Sequence, residues 1–340
     1  MEQFETEIYL RYKQIIEDSV ILEAKRRGSI IPREADLSSW RAQPDRIQCV
    51  SSAVPQSVHM ADLLDRYDAF CFDGYGTLYN RGSFVYPGAM EWFQMLRCAG
   101  KQLRLVTNAA SDVDEVLARD ADKRGFDFST EETISSGSLL RDLVESLRSG
   151  TTKPLELREL YYIGRDTGKH VLEACGITAV AMDAEPAEPI VAISSAKDTP
   201  ETYAQAVKIL QKPGAILLVL NSDAWAPKIP DENGVTLREP VSGALSERLR
   251  RASMCDANRG EGCETYYLGK PFPAIWEKVK RSLPSGSRVL MIGDTLGTDV
   301  YGAKIAGFDS ALVVGRNVPV TDLEADESAL GIRPDYYLDP

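Results

Sequence analysis

Apolar residues along this chain recur with two different periods. Near the N-terminus Phe4, Ile8, Tyr9, Tyr12, Ile15, Ile16, Val20 and Ile21 return every three or four positions, the spacing of an amphipathic helix. Residues 28–55 then break into polar, turn-prone sequence punctuated by Pro32, Pro44 and Pro55, where neither period survives. Residues 1–61 are therefore expected to form a helical extension. It could pack against the protein's own core or contact another subunit, and the second use leaves a homo-oligomer open.

From Asp62 onward the pattern changes to short apolar runs separated by stretches of helical period. AFCF (69–72) ends at Asp73, QLRLVTN (102–108) follows a helical stretch from Ala89 to Ala99, RVLMIGD (288–294) follows one from Pro273 to Leu283, and SALVVG spans 310–315. Short β-rich runs alternating with ten-residue helices predict βαβ units and a parallel sheet covered on both faces. The polar residues Asp73, Thr107, Asn108 and Asp294 sit at the C-terminal ends of these runs. In open α/β sheets that edge is where ligands bind. About 180 residues separate the second run from the third, far too many for a loop. They carry their own α/β rhythm in YYIG (161–164), HVLEACGI (170–177), IVAIS (190–194), a helix from Glu201 to Gln211 and AILLVLN (215–221). The predicted organisation is a core of residues 62–114 and 261–340 with an α/β domain, 115–260, inserted in it.

Composition narrows the function without naming it. Of 340 residues 44% are hydrophobic and 26% charged, an ordinary globular balance. The net charge of −12 argues against a nucleic-acid partner, which needs clustered Lys and Arg. The six cysteines are scattered, with no C-x-x-C pair and no zinc-like spacing, as expected for reduced thiols in a cytoplasmic protein. The N-terminal sequence MEQFETEIYLRYKQ is charged and lacks the apolar stretch of a signal peptide. No apolar run approaches the ~20 residues that span a bilayer, so no membrane partner is expected. His59 and His170 have no partner at metal or triad spacing and are expected to be structural or surface residues.

Four segments resemble the motifs of the haloacid dehalogenase superfamily, in its order. Asp73-Gly-Tyr-Gly-Thr-Leu78 looks like the first, Val106-Thr107-Asn108 the second, Leu268-Gly-Lys270-Pro271 the third, and Gly293-Asp294-Thr-Leu-Gly-Thr298-Asp299 the fourth. An insert between the second and third motifs is similar to the C2-type caps. Pro87-Gly-Ala89, Asn221-Ser-Asp223 and Gly269-Lys-Pro-Phe-Pro273 resemble the class IIA branch of NagD-like and p-nitrophenyl-phosphatase-like enzymes. The likeness covers residues 62–340 and implies a Rossmann-like core with an inserted α/β C2 cap.

What the resemblance implies chemically is a Mg²⁺-dependent phosphatase acting on a small phosphorylated metabolite. Asp73, Asp294 and the backbone carbonyl of Tyr75 would hold the ion, hard oxygen donors of the kind Mg²⁺ prefers, with Asp299 orienting them. Asp73 would attack phosphorus and form an aspartyl-phosphate. Thr107, the backbone around Asn108 and the charge of Lys270 would stabilise the phosphoryl oxygens. One position departs from the pattern. The family's second motif-one Asp, which protonates the leaving oxygen and activates water, is here Tyr75. General acid–base help is worth roughly 10²–10⁴-fold, and a phenol with a pKa near ~10 is a poor base at neutral pH. Tyr at this position is also what metal-independent 2-haloacid dehalogenases carry, which makes dehalogenation an alternative. A weakly catalytic member that binds a phosphometabolite is another.

Overall fold

The computed structural model describes residues 6–16, 55–149, 155–232, 234, 236–254, 263–317, 320–321 and 323–338. Phe4, Val20, Ile21 and the turn-prone stretch before Pro55 lie outside them. The strands in chain order are β1 (Gln56–Val58), β2 (Ala69–Phe72), β3 (Gln102–Thr107), β4 (Thr133–Ser135), β5 (Glu159–Ile163), β6 (Thr178–Ala179), β7 (Ile190–Ile193), β8 (Ile216–Val219), β9 (Trp225–Pro227), β10 (Arg238–Pro240), β11 (Glu264–Tyr267), β12 (Val289–Gly293), β13 (Asp309–Leu312) and β14 (Tyr336–Leu338). They form a seven-stranded sheet in the order β1-β14-β13-β12-β2-β3-β4, a five-stranded sheet in the order β11-β8-β7-β5-β6, and a two-stranded ribbon of β9 and β10.

The parallel α/β architecture expected from the apolar runs is present. Pairings β1–β14, β14–β13, β13–β12, β12–β2 and β3–β4 are parallel. So are all four pairings of the five-stranded sheet. β2, β12, β7 and β8 are buried at every position. Continuous burial explains why they read as unbroken apolar runs and not as alternating ones. The helix Ala89–Cys98 closes one βαβ unit by burying Trp92, Phe93 and Leu96. The helix Pro273–Ser282 opens with proline in its first turn, where the missing N–H costs nothing, and buries Ile275, Trp276 and Val279.

By internal contacts the chain divides into two compact units, Met1–Arg104 with Pro227–Leu237 and Pro271–Pro340, and Leu105–Ala226 with Arg238–Lys270. The division falls within β3, after Arg104, and within β9, after Ala226. The second unit compares with a predicted insert of residues 115–260. β4, inside the predicted insert, pairs with β3 at Leu105–Thr133 and Thr107–Ser135 and so extends the seven-stranded sheet. β11, beyond the predicted insert, pairs with β8 and belongs to the five-stranded sheet. The period of a run reveals that it is a strand but not which sheet completes its hydrogen bonds.

The predicted boundary at residue 61 also shifts, because β1 pairs with β14, Gln56 facing Tyr336 and Val58 facing Leu338. Ahead of it, residues 6–16 are helical and bury Ile8, Tyr9, Tyr12 and Ile16. Tyr12 meets Phe272 edge to face, ring centroids 5.2 Å apart, and Lys13 Nζ donates to the carbonyl of Leu330 at 3.3 Å. The Tyr9 ring lies so close to Gly297 that a Cβ there would come within 2.2 Å of its Cγ. The N-terminal helix thus packs against the protein's own core. No helix among the described residues is long and apolar enough to cross a membrane.

Candidate functional site

The acidic residues stand at the ends of two adjacent strands. The amide of Asp73, just past β2, donates to the carbonyl of Ile292 at 2.9 Å and so continues the β2–β12 pairing to its last step. The chain then curls back: the carbonyl of Gly74 accepts from the amides of Leu78 and Tyr79 at 3.0 and 3.1 Å. Gly76 turns with φ +99°, and a Cβ there would lie 2.0 Å from Asp294 Oδ2, so no other residue allows the curl to pass against Asp294. Asp294 follows β12. Its Oδ1 accepts from the hydroxyl of Thr295 at 3.0 Å, and that hydroxyl accepts from Asn317 Nδ2 at 2.7 Å. Asp299 Oδ2 accepts from the backbone amides of Asp294 and Thr295, both at 3.1 Å.

These contacts gather Asp73, Asp294 and Asp299, all buried, with one carboxylate oxygen of each within 4.8 Å of the others. Two unit charges at that distance repel by roughly 3 kcal/mol at an effective dielectric of about 20. A divalent cation relieves that repulsion, and three hard carboxylate oxygens suit Mg²⁺. The residues present therefore fit the predicted metal. Within the cluster their roles differ. Asp299 spends one oxygen on the two amides that shape the Asp294 turn. Tyr75 is half-buried, its ring edge-on to Tyr79 with centroids 5.1 Å apart.

The predicted phosphate-binding residues form a second hydrogen-bonded group. Thr107 ends β3, and its hydroxyl accepts from the amide of Ala109 at 3.1 Å, a turn of the kind that ends strands. Asn108 Nδ2 donates to the carbonyl of Lys270 at 2.9 Å and to Asp223 Oδ1 at 2.8 Å, while its Oδ1 accepts from the amide of Lys270 at 2.7 Å. The Ser222 hydroxyl also donates to the Lys270 carbonyl. The Asn108 side chain is thus engaged in gripping the Lys270 backbone, and the phosphate contact expected at this position is one for backbone amides. Lys270 itself is 1% exposed.

The sequence assigns no role to Thr295 and Asn317, which tie down Asp294. Ser222 and Asp223, part of the Asn221-Ser-Asp223 segment that resembles class IIA, join the grip on residues 108 and 270. The rule that drew attention to Asp73 and Asp294, polar residues after an apolar run, applies equally to Arg316 and Asn317 after SALVVG. Arg165, directly after the run YYIG, is exposed. His170 Nδ1 lies 3.4 Å from Asp112 Oδ1 at the surface. Cys71, Cys98, Cys175 and Cys263 form no disulfide.

A parallel α/β sheet that gathers buried carboxylates past the ends of neighbouring strands defines a Rossmann-like enzyme core with an acidic centre. Residues 70–178 match the family described as haloacid dehalogenase-like hydrolase, and residues 267–340 the related HAD-hydrolase-like family, together more than half of the 340 residues. The chain belongs to the haloacid dehalogenase-like hydrolases. Among curated relatives, the 4-nitrophenylphosphatase of Schizosaccharomyces pombe is 26% identical over 300 residues, 82% of this chain and 93% of the relative. The glycerol-3-phosphate phosphatase of Homo sapiens is 25% identical over 332 residues, 89% of this chain and 97% of the relative. These relatives agree with the class IIA branch predicted from the motifs. A solved HAD superfamily structure from Cytophaga hutchinsonii shares the fold with a TM-score of 0.68 at 22% identity, covering 84% of this chain and 98% of that one.

Proposed function

We propose that this hydrolase is a Mg²⁺-dependent phosphatase that transfers the phosphoryl group of a small phosphorylated metabolite to Asp73 and then to water. The observation that carries this reading is the buried cluster of Asp73, Asp294 and Asp299, oxygens within 4.8 Å of one another. The names of the curated relatives, phosphatases of nitrophenyl and glycerol phosphates, support it.

When bound, Mg²⁺ supplies positive charge that offsets the repulsion between an anionic nucleophile and an anionic ester. Asp294 would hold the ion, its orientation fixed by Thr295 and Asn317 on one side and the Gly76 turn on the other. Asp299 keeps the Asp294 turn in shape through two amides. The Asp73 carboxylate attacks phosphorus as the ester P–O bond breaks, and water then cleaves the aspartyl-phosphate. The motif resemblance assigns Thr107, the backbone at Asn108 and Lys270 to the oxygens on which charge spreads in the transition state. Tyr75 carries no carboxylate, so the leaving oxygen departs with less help in taking up its proton.

The test is a panel of phosphate esters with Mg²⁺ beside 2-haloacids without metal, on one preparation. Metal-dependent release of inorganic phosphate supports the reading. Halide release in the presence of chelator would replace it with dehalogenation.

A further inference from the structure

Three strands that neighbour one another in the sheet, β13, β12 and β2, are each followed by polar residues. Past β12 and β2 these are the carboxylates of Asp294 and Asp73. Past β13 they are Arg316 and Asn317. Asn317 belongs to the acidic centre through its hydrogen bond to Thr295. Arg316 does something else. Its guanidinium carbon sits 3.9 Å from the centroid of the Tyr86 ring, and it makes no hydrogen bond or ion pair among the described residues. It is half-buried, and desolvation holds its proton affinity below the usual value, though an arginine stays charged at any pH an enzyme meets.

A guanidinium has five N–H donors in a planar fork. Stacking on an aromatic ring engages its face and leaves the fork unused. A partly desolvated cation that makes no direct ion pair is costly; the attraction of Asp294 offsets part of that cost and leaves the N–H donors of the fork open beside a site read as binding anions. Its wall leads to the acidic centre. The Tyr86 hydroxyl accepts from Asn80 Nδ2 at 3.0 Å, and that amide also donates to the carbonyl of Pro227 at 2.9 Å. The Pro227 ring in turn crowds Gly76, where an added Cβ would meet both Pro227 Cγ, at 2.9 Å, and Asp294 Oδ2. Arg316 is thus linked to Asp294 twice, along the chain through Asn317 and across this wall. In a protein of net charge −12 a local cation is what makes a doubly anionic ligand acceptable.

We propose that Arg316 receives a second anionic group of the substrate, and that the substrate is a small phosphate monoester bearing a carboxylate or a further phosphate close to the ester. The planar fork fits either group in bidentate fashion. This assignment rests on the phosphatase reading for its chemistry but not for its geometry.

The test uses esters that differ in one group: carboxymethyl phosphate, ethyl phosphate and the bisphosphate of ethane-1,2-diol. Wild type should prefer the two that carry a second anion, and the preference between them identifies it as carboxylate or phosphate. Arg316→Gln should lower kcat/KM on the preferred ester roughly 10- to 100-fold, the worth of a hydrogen bond to a charged group, chiefly through KM. On ethyl phosphate the loss should be at most a few-fold, and Arg316→Lys should recover part of the preference. Equal losses on all three esters, or none on any, would overturn the assignment. Binding of the same compounds to Asp73→Asn protein with Mg²⁺, with and without Arg316→Gln, separates the two ideas. If no ester is turned over yet binding of the doubly anionic compounds still depends on Arg316, the phosphatase reading falls and the anion site stands. Binding indifferent to Arg316 removes the site whatever the turnover.

Discussion

Past β2 and β12 of the seven-stranded sheet the chain places Asp73 and Asp294, whose carboxylates approach Asp299 until repulsion calls for a cation. Past β5 and β7 of the five-stranded sheet it places Gly164 and Ser194. There the Tyr162 hydroxyl meets Ser194 Oγ at 2.5 Å and donates to the carbonyl of Arg165 at 3.1 Å. Burial pushes that phenol up to about 12, so it stays neutral in any ordinary buffer. The pairings within both sheets run parallel, and β2, β12 and β7 are buried throughout, while β5 opens on Glu159. One set of strand ends gathers buried carboxylates, while past the other the neutral hydroxyls of Tyr162 and Ser194 bond to each other. The same architecture serves as reactive centre or as inert support according to the two or three residues after each strand, since function lives in sites placed on folds.

The sharpest way to break this contrast is Asp73→Asn. Turnover of any substrate should fall on the order of 10⁴-fold or more with the melting temperature little changed, and activity near wild type would end the proposed mechanism. Next in size is removal of the metal. Chelation should abolish turnover, and Mg²⁺ at about 100 times its Kd should stabilise the wild-type fold by roughly 2.7 kcal/mol. Asp294→Asn should lose most of that stabilisation, and a melting temperature indifferent to Mg²⁺ in both proteins would remove the metal from the acidic centre.

Tyr75→Asp tests the departure in the first motif. It should raise kcat/KM on alkyl phosphates by as much as about 10²-fold while changing p-nitrophenyl phosphate far less, because only the alkoxide needs a proton to leave. Equal effects on both ester types would show that residue 75 is not at the acid–base position. The smallest effects compare two supports. Asn108→Ala takes from the Lys270 amide its bond to Asn108, while the carbonyl keeps Ser222, and should cost roughly 1–3 kcal/mol of stability along with about tenfold in kcat. Ser194→Ala, where the Tyr162 hydroxyl keeps its bond to Arg165, should cost no more than about 1 kcal/mol and leave kcat alone. Calorimetry and steady-state kinetics on the pair decide whether the neutral strand ends are inert.

Legibility in the sequence followed burial. β2, β12, β7 and β8 could be read because they are apolar throughout and bounded by turn residues. β1, β4 and β14 have three residues each, too few for a period to register. β11, Glu-Thr-Tyr-Tyr, is only partly buried and has no apolar run to betray it. Neither β4 nor β11 stands among the runs read from the sequence. At the site, Asp73 and Asp294 were legible because each directly ends a run. Arg316 and Asn317 follow the run SALVVG by the same rule, but nothing local ties Asn317 to Thr295, 22 positions away. The grip of Asn108 on residue 270 joins positions 162 apart and leaves no local trace.

The position of β12 between β13 and β2 also sets an order of events during synthesis. β2 leaves the ribosome early, yet its hydrogen-bonded partner β12 begins more than 200 residues later. At about 5–20 residues per second the wait lasts roughly 10–40 s. The five-stranded sheet, complete once Tyr267 has emerged, can form during that interval. AFCF meanwhile remains an apolar segment with an open edge, which is the form in which a nascent chain is most exposed to misassociation. Chaperone dependence of this protein should therefore centre on the stretch around residues 69–72, and its release should coincide with the arrival of the segment that carries Asp294.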